Sequence, residues 1–222
     1  MAVDHHRGVV LVHASSVLGQ LLLATAPRPA FAECGILARM PVRDTFCSYC
    51  GTAYAPPLAY PRTCTGCQTQ VWANPIPVSV VLVPVVKEGR VGLLCVRRAI
   101  EPRLGKLGIV GGFLEEHETV AEGGAREVRE ETGVVIDAKT ITPLWFTSTS
   151  PRPNRVLLFS VAAPIDVAAL GAFTPDEETS ERGLVFGPDG LDEVFAFPLH
   201  AEAARRFFTA RSISGAHAYE LA

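Results

Sequence analysis

The sequence predicts an α/β (α+β) layer structure preceded by a small cysteine module. Three observations lead there. Short apolar runs rich in Val and bounded by turn residues recur between Ile76 and Val161. Helical spacing is carried by Glu118 to Thr132 and by Pro198 to Ala210. Four cysteines stand in two C-x-x-C pairs within residues 45–72, a stretch with little hydrophobic periodicity. Strands around few helices must bury their apolar faces against one another, and stacked layers are the stable way to do so.

Taken in order, residues 1–42 read as an N-terminal extension. His5, His6 and Arg7 precede an apolar stretch from Val9 to Ala26, and Ala30-Phe31-Ala32 follows, which is similar to a secretory signal with a small-residue cleavage site. His13, Ser15, Ser16 and Gln20 interrupt the stretch, and Pro27 and Pro29 follow, so the favoured reading is an ill-structured extension with Met40 as a candidate internal start. Residues 43–73 form the cysteine module, and residues 76–222 the main domain. Ile76 to Val86 reads as a buried strand, Lys87-Glu88-Gly89-Arg90 as a turn, and Val91 to Arg97 as the returning strand of a hairpin. Gly105, Gly108, Gly111 and Gly112 mark residues 99–117 as strand and loop. Glu118 to Thr132 is predicted to be a helix closed by Gly133. Val134 to Ile136, Leu144 to Thr147 and Val156 to Val161 are strand candidates, and residues 173–183 a charged loop. The C-terminal helix, Pro198 to Ala210, should bury Ala203, Ala204, Phe207 and Phe208.

Composition narrows the function classes. Of 222 residues 48% are hydrophobic and 19% charged, enough apolar mass for a packed core. The net charge of −3, from 20 basic and 23 acidic side chains, supplies no basic face for tracking nucleic acid, so no nucleic-acid partner is expected. No segment is long and clean enough to predict a membrane span. A cytoplasmic location follows from the paired cysteines, with secretion through residues 1–32 as the alternative.

The chemistry concentrates in Gly112 to Val134, GFLEEHETVAEGGAREVREETGV. Glu127, Glu130 and Glu131 sit at i, i+3 and i+4 and share one helical face. Like charges at these spacings repel, so the face needs cationic partners or bound cations. Hard oxygen donors suit Mg²⁺ or Mn²⁺. The competing reading is a solvated acidic face with intrahelical pairs, Arg126 bonding Glu122 or Glu130. The wider spacing decides between them: Gly112, five residues, Glu118, seven residues, Arg126-Glu127-Val128, one residue, Glu130-Glu131, one residue, Gly133-Val134.

This pattern resembles the Nudix box at every defined position, and the resemblance extends over roughly residues 76–210. It implies an α/β/α sandwich with a mixed sheet and cleavage of a nucleoside diphosphate bond with Mg²⁺ or Mn²⁺. It implies that Glu127, Glu130 and Glu131 are metal ligands and that Gly111 offers them a backbone carbonyl. Arg126 is implied to orient Glu127 and Glu118 to hold the loop–helix geometry, with Gly112 and Gly133 supplying unusual backbone conformations. A further acidic residue outside the box is implied among Glu177, Glu178 and Glu181. Glu178 is favoured and Glu181 comes next, against the reading of a solvated acidic loop. Gly123-Gly124, where alanines are common in the family, should cost about 1 kcal/mol each in the helix, and reads as drift at a packed face.

Cys47-x-x-Cys50 and Cys64-x-x-Cys67, thirteen residues apart, can present four thiolates tetrahedrally to one structural Zn²⁺. With only Arg43 and Arg62 as basic groups, the module is expected to serve folding stability or a homodimer rather than nucleic acid. Cys95 reads as a core thiol, and Cys34 has no evident partner. A zinc ribbon ahead of a Nudix domain resembles the group acting on NADH, ADP-ribose and FAD. The Ser-Gln-Pro-Trp-Pro-Phe-Pro element of the NADH branch is missing, and Trp145 to Arg155 stands in its place. Phe113, Trp145 or Phe146 could stack on a base, while Arg152, Asn154 and Arg155 could contact phosphate or ribose. The alternative function is a nucleotide-sensing module without catalysis.

Overall fold

The computed structural model describes residues 44–150 and 154–222. The expectations placed on residues 1–42, on Cys34 and on Arg152 lie outside them. The chain forms two compact units. One holds the described residues up to Leu58 together with Cys64–Cys67; the other holds Ala59–Thr63 and Gln68–Ala222.

In the first unit the backbone doubles back on itself, with Phe46 bridged to Ala53. Cys47 N–H donates to the Thr52 carbonyl and Gly51 N–H to the Cys47 carbonyl, both at 2.9 Å. Gly51 adopts a left-handed φ of 74°, the conformation a tight knuckle needs and a side chain resists.

The second unit opens on a short antiparallel pair, β1 (Arg62–Thr63) and β2 (Gln70–Val71). β3 (Ile76–Leu82) and β4 (Pro84–Lys87) follow, so the predicted single strand from Ile76 to Val86 is divided at Val83. Its two halves then serve different sheets. Residues 79–83 are essentially inaccessible, because apolar side chains pack on both faces. β5 (Arg90–Arg98) returns antiparallel to β4 through Glu88 and Gly89, both at positive φ, the paired left-handed turn that the strand twist favours. β6 (Leu107–Gly108), β7 (Gly111–Phe113) and α1 (Val120–Thr132) come next, then β8 (Thr142–Ser148), β9 (Arg155–Val161) and β10 (Ile165–Asp166). β11 (Thr179–Phe186), the one-turn α2 (Leu191–Val194), α3 (Pro198–Ala210) and β12 (Ala218–Leu221) complete the chain.

One sheet runs β10-β4-β5-β11-β12 with β6 on β5, and the other β7-β3-β9-β8. Both are mixed, since β10 joins β4 and β9 joins β3 in parallel while the other pairings are antiparallel. Strand alternation divides the core in two. Val80, Leu82, Leu93 and Cys95 pack with α3, whereas Val81, Val83, Leu94 and Val96 pack with Val128 of α1. Helices therefore cover opposite faces, giving the expected α/β/α sandwich. In α3 the predicted buried side holds: Ala203, Ala204, Phe207 and Phe208 are fully covered. Cys95 is buried as expected, and that burial raises its thiol pKa.

Two predicted elements differ. Val134 to Ile136 is not a strand. Val134 and Ile136 pack into the core while Val135 is exposed, so the alternation is real, but no neighbouring strand pairs with them. Residues 173–183 are not all loop, because β11 begins at Thr179. Its charges are compatible with a central strand because each finds partners in the fold. Arg182, buried, donates to the carbonyls of Thr132, Leu170, Gly171 and Ala222 at 2.7–3.2 Å.

Candidate active site and cysteine centre

α1 is fixed at its start by a capping box. Thr119 Oγ1 accepts from Glu122 N–H at 3.3 Å, and Glu122 Oε2 accepts from Thr119 N–H at 2.9 Å. Ser79 of β3 donates its hydroxyl to the Val120 carbonyl at 2.9 Å. At the far end Gly133 closes the helix with φ 73°. The paired glycines let the helix approach closely, so the reading of drift is corrected. A Cβ on Gly124 would strike Val81 Cγ2 and come within 2.8 Å of Ser79 Oγ; one on Gly123 would press Leu114 and Glu118.

Arg126 organises the site. It donates to both Glu118 oxygens at 2.7 and 2.9 Å, to Glu127 at 2.7 Å, to Glu130 at 3.0 Å and to the Phe113 carbonyl at 3.0 Å. It thereby ties β7 and the loop before α1 to the carboxylate face. The Arg126 hydrogen bonds hold the Glu118 carboxyl down to about 2. Gly112 serves differently from the expected unusual backbone conformation. Its φ is not in the left-handed region, and a Cβ there would collide with the Glu127 carboxylate.

Glu127, Glu131, Gly111, Phe113, Arg126, Arg155 and Glu178 line one cleft of about 1100 Å³. The half-buried Glu131 carboxyl is pushed up to about 8, first by lost hydration and then by the charges of Glu127 and Glu178, against the Gly111 backbone and Arg98. Glu178 is held by an Asx turn in which Asp176 Oδ1 accepts its N–H at 2.8 Å. Its carbonyl accepts from Ala99 N–H at 2.7 Å. Glu130 stands at 51% side-chain exposure, paired to Arg126, and is not among the lining residues. The three box carboxylates are not drawn to ligand distance; among the described residues the cysteines alone form such a group. Arg126 Nη1 bridges Glu127 and Glu130, at 2.7 and 3.0 Å.

The other acidic candidates separate clearly. Glu181 lies on β11, where Arg97 Nε donates to it at 2.6 Å and the Tyr219 hydroxyl at 3.5 Å. It is spent on that contact and does not line the cleft. Glu177 is exposed and also outside the lining. Arg155 sits 5.3 Å from the Phe113 ring at the cleft. Trp145 instead stacks on Phe159 at 5.2 Å and carries Arg206 over its other face at 4.4 Å, and neither Trp145 nor Asn154 lines the cleft. Sequence reasoning missed Arg98, Asp176 and His200. Arg98 follows Arg97 in a strand, and alternation places one at Glu181 and the other in the cleft. Thr119-x-x-Glu122 was likewise a readable capping signal.

In the first unit the sulfurs of Cys47, Cys50, Cys64 and Cys67 lie within 4.8 Å of one another. Cys47–Cys67 and Cys50–Cys64 are separated by 3.8 and 3.5 Å. A tetrahedron with bonds of about 2.3 Å has an edge of about 3.8 Å, so the donor set and spacing fit Zn²⁺. The Tyr54 hydroxyl and then the Tyr49 backbone hold the Cys47 thiol down to about 6, toward the thiolate a metal requires.

The fold and the box define a Nudix-type domain. The family model for the NUDIX domain matches residues 75–210, and the chain belongs to that family. Over 75 residues it is 33% identical to an ADP-ribose pyrophosphatase of Methanocaldococcus jannaschii, a match covering 34% of this chain and 43% of that protein. The chain thus spans less than half the length of this curated relative. A Nudix hydrolase of Nitrosomonas europaea superposes with TM-score 0.52 at 24% identity, covering 76% of this chain and 92% of that one. The NUDIX domain of Shewanella oneidensis NrtR, solved with ADP ribose, gives TM-score 0.52 at 18% identity over 63% and 90%. These two likenesses show a shared fold.

Proposed function

We propose that the chain is a metal-dependent hydrolase of a nucleoside diphosphate linked to a second moiety, of the ADP-ribose, NADH or FAD type, releasing a nucleoside monophosphate. The observation that carries this is the carboxylate set of Glu127, Glu131 and Glu178 gathered with Gly111 in the lining of one cleft. A half-buried carboxylate beside two others is unfavourable without a cation, and hard oxygen donors select Mg²⁺ or Mn²⁺. Glu127, Glu130, Glu131 and the Gly111 carbonyl are the residues that would hold it. Bound there, the ion supplies charge neutralisation on the diphosphate and acidifies the attacking water.

The chain's own groups do the rest. Arg126, pinned by Glu118, fixes Glu127 and keeps β7 against α1. Glu178, fixed by Asp176, faces the same space and is the candidate to accept the proton of the attacking water. Arg155, which lines the cleft beside the Phe113 ring, is placed to meet substrate phosphate, whereas Arg98 donates to the Pro102 carbonyl at 3.0 Å and lies over the Phe197 ring at 5.3 Å. Catalysis on this reading comes from positioning and charge neutralisation. The four cysteines hold one structural Zn²⁺ in a ribbon spanning residues 43–73, and residues 76–222 form the catalytic domain.

Support comes from the family, from the relative that hydrolyses ADP-ribose by name, and from the cleft. The test is a panel of ADP-ribose, NADH, FAD, diadenosine polyphosphates and nucleoside triphosphates with Mg²⁺ or Mn²⁺, scored by product. The expected result is a nucleoside monophosphate from one of the first three. No turnover on any with either ion would favour a nucleotide-binding module instead.

A further inference from the structure

The carboxylate end of the cleft leaves a buried histidine without a task. His200, in the first turn of α3, is 9% exposed and lines the cleft. Ile109 N–H donates to its Nδ1 at 3.0 Å. An amide proton can be received there only if Nδ1 carries none, so the single proton of the neutral ring sits on Nε2. Among the described residues nothing accepts from that Nε2–H. The ring is clamped by Phe197 at 5.1 Å and Phe159 at 6.1 Å, both edge-on. His200 lines the cleft, and among the described residues the fold supplies no acceptor for its Nε2–H.

Its surroundings say what the partner is. Ile109, Phe197 and Leu199 make most of this part of the wall apolar, and the Arg98 guanidinium lies over the Phe197 ring at 5.3 Å with its Nε donating to the Pro102 carbonyl. Burial first, and the nearby Arg98 charge second, push the imidazole down to about 4, so it is a neutral donor at physiological pH. A neutral donor in an apolar wall suits an uncharged acceptor better than a phosphate oxygen. The same backbone stretch that bonds His200 at Ile109 meets Glu131 at Gly111, two residues further on. A nucleotide with its phosphate at the carboxylates can reach back to His200 with its base.

We propose that His200 is a specificity-determining residue that donates Nε2–H to a ring nitrogen or carbonyl oxygen of the substrate's nucleobase, in an apolar subsite beside Phe197 and Leu199. The inference rests on the reading of the cleft as a nucleotide site, but its test does not require turnover.

Side-chain nitrogen NMR of the histidines in the full chain at pH 7 should show His200 protonated at Nε2 alone. Titration with AMP, GMP, CMP and UMP in the presence of Mg²⁺ should shift that signal for at least one of them, and inorganic phosphate should not. By calorimetry, His200→Asn, whose Oδ1 can still receive Ile109 N–H, should bind the preferred nucleotide about five- to tenfold more weakly, the worth of one hydrogen bond. His200→Gln, which extends an amide N–H toward the Nε2 position, should recover much of the affinity. A proton on Nδ1, no shift with any of the four nucleotides, the same shift with phosphate, or unchanged affinity in His200→Asn would overturn the proposal. Nucleotide binding that moves His200, combined with no diphosphate cleavage, would sink the hydrolase reading and leave this one standing.

Discussion

Arg126 is the residue on which the most contacts of the site converge, and its geometry makes a sharp prediction. Its side chain is 18% exposed, and Glu118 and Glu127 beside it are 16% and 15% exposed. Removing one member of such a network leaves the others charged and unpaired. Arg126→Met should therefore cost about 2 kcal/mol of stability, read as an earlier denaturant midpoint. Arg126→Lys should recover only part of it, because the three N–H groups of an ammonium cannot replace five contacts to three carboxylates and the Phe113 carbonyl. Full recovery with Lys would mean that charge alone matters. His200 makes a separate prediction about acid. Its folded pKa near 4 lies below the usual 6.5, so between those values the unfolded chain takes up a proton the folded chain refuses. Stability should fall as pH drops from about 6.5 to about 4, by up to one proton's slope, about 1.4 kcal/mol per pH unit. His200→Asn should flatten that interval of the pH–stability curve. An unchanged slope would place the proton elsewhere.

At the scale of elements, α1 shows propensity yielding to packing. Alanine at an exposed helical glycine normally stabilises by about 1 kcal/mol. At Gly124 the added methyl meets Val81 and Ser79 on a buried strand. Gly124→Ala should instead destabilise by about 1–3 kcal/mol, and a raised melting temperature would refute the close-approach account. Elements whose cause is local were legible beforehand. The 3.6-residue pattern of α1 and α3, the Gly133 cap and the Glu88-Gly89 turn depend on neighbours in sequence. Elements whose cause is tertiary were not. Val134 to Ile136 has a strand's alternation and no partner strand. β11 looks like a charged loop until Arg182 meets four carbonyls and Glu181 meets Arg97. Gly112 looks like a backbone device, and its actual neighbour is a carboxylate fifteen residues on. The site divides in the same way: the box spacing pointed to Glu127 and Glu131, and alternation along β5 could have found Arg98, but nothing local to His200 placed it in the same cleft.

At the scale of the molecule, two chemistries are written into separate compact units. Soft thiolates converge in one and hard carboxylates line a cleft in the other, so the two sites should sort zinc from magnesium by donor type alone. Metal analysis should find about one zinc ion per chain, and a thiol chelator should release it without removing Mg²⁺-dependent turnover at once. Zinc-free protein with paired thiols would contradict the ribbon. No helix among the described residues is long and apolar enough to cross a membrane.

On the proposed function, the cleft carboxylates serve catalysis at the expense of stability. Burial and the charges of Glu127 and Glu178 oppose ionised Glu131, so a neutral amide should fit there at least as comfortably. The decisive measurement is turnover of the best diphosphate substrate by Glu131→Gln with saturating Mg²⁺, alongside its melting temperature. The expected result is a loss of at least about a hundredfold in kcat, with a melt equal to or above wild type. Turnover near wild type, or a collapse of the fold, would show that Glu131 belongs to the structure and not to the reaction.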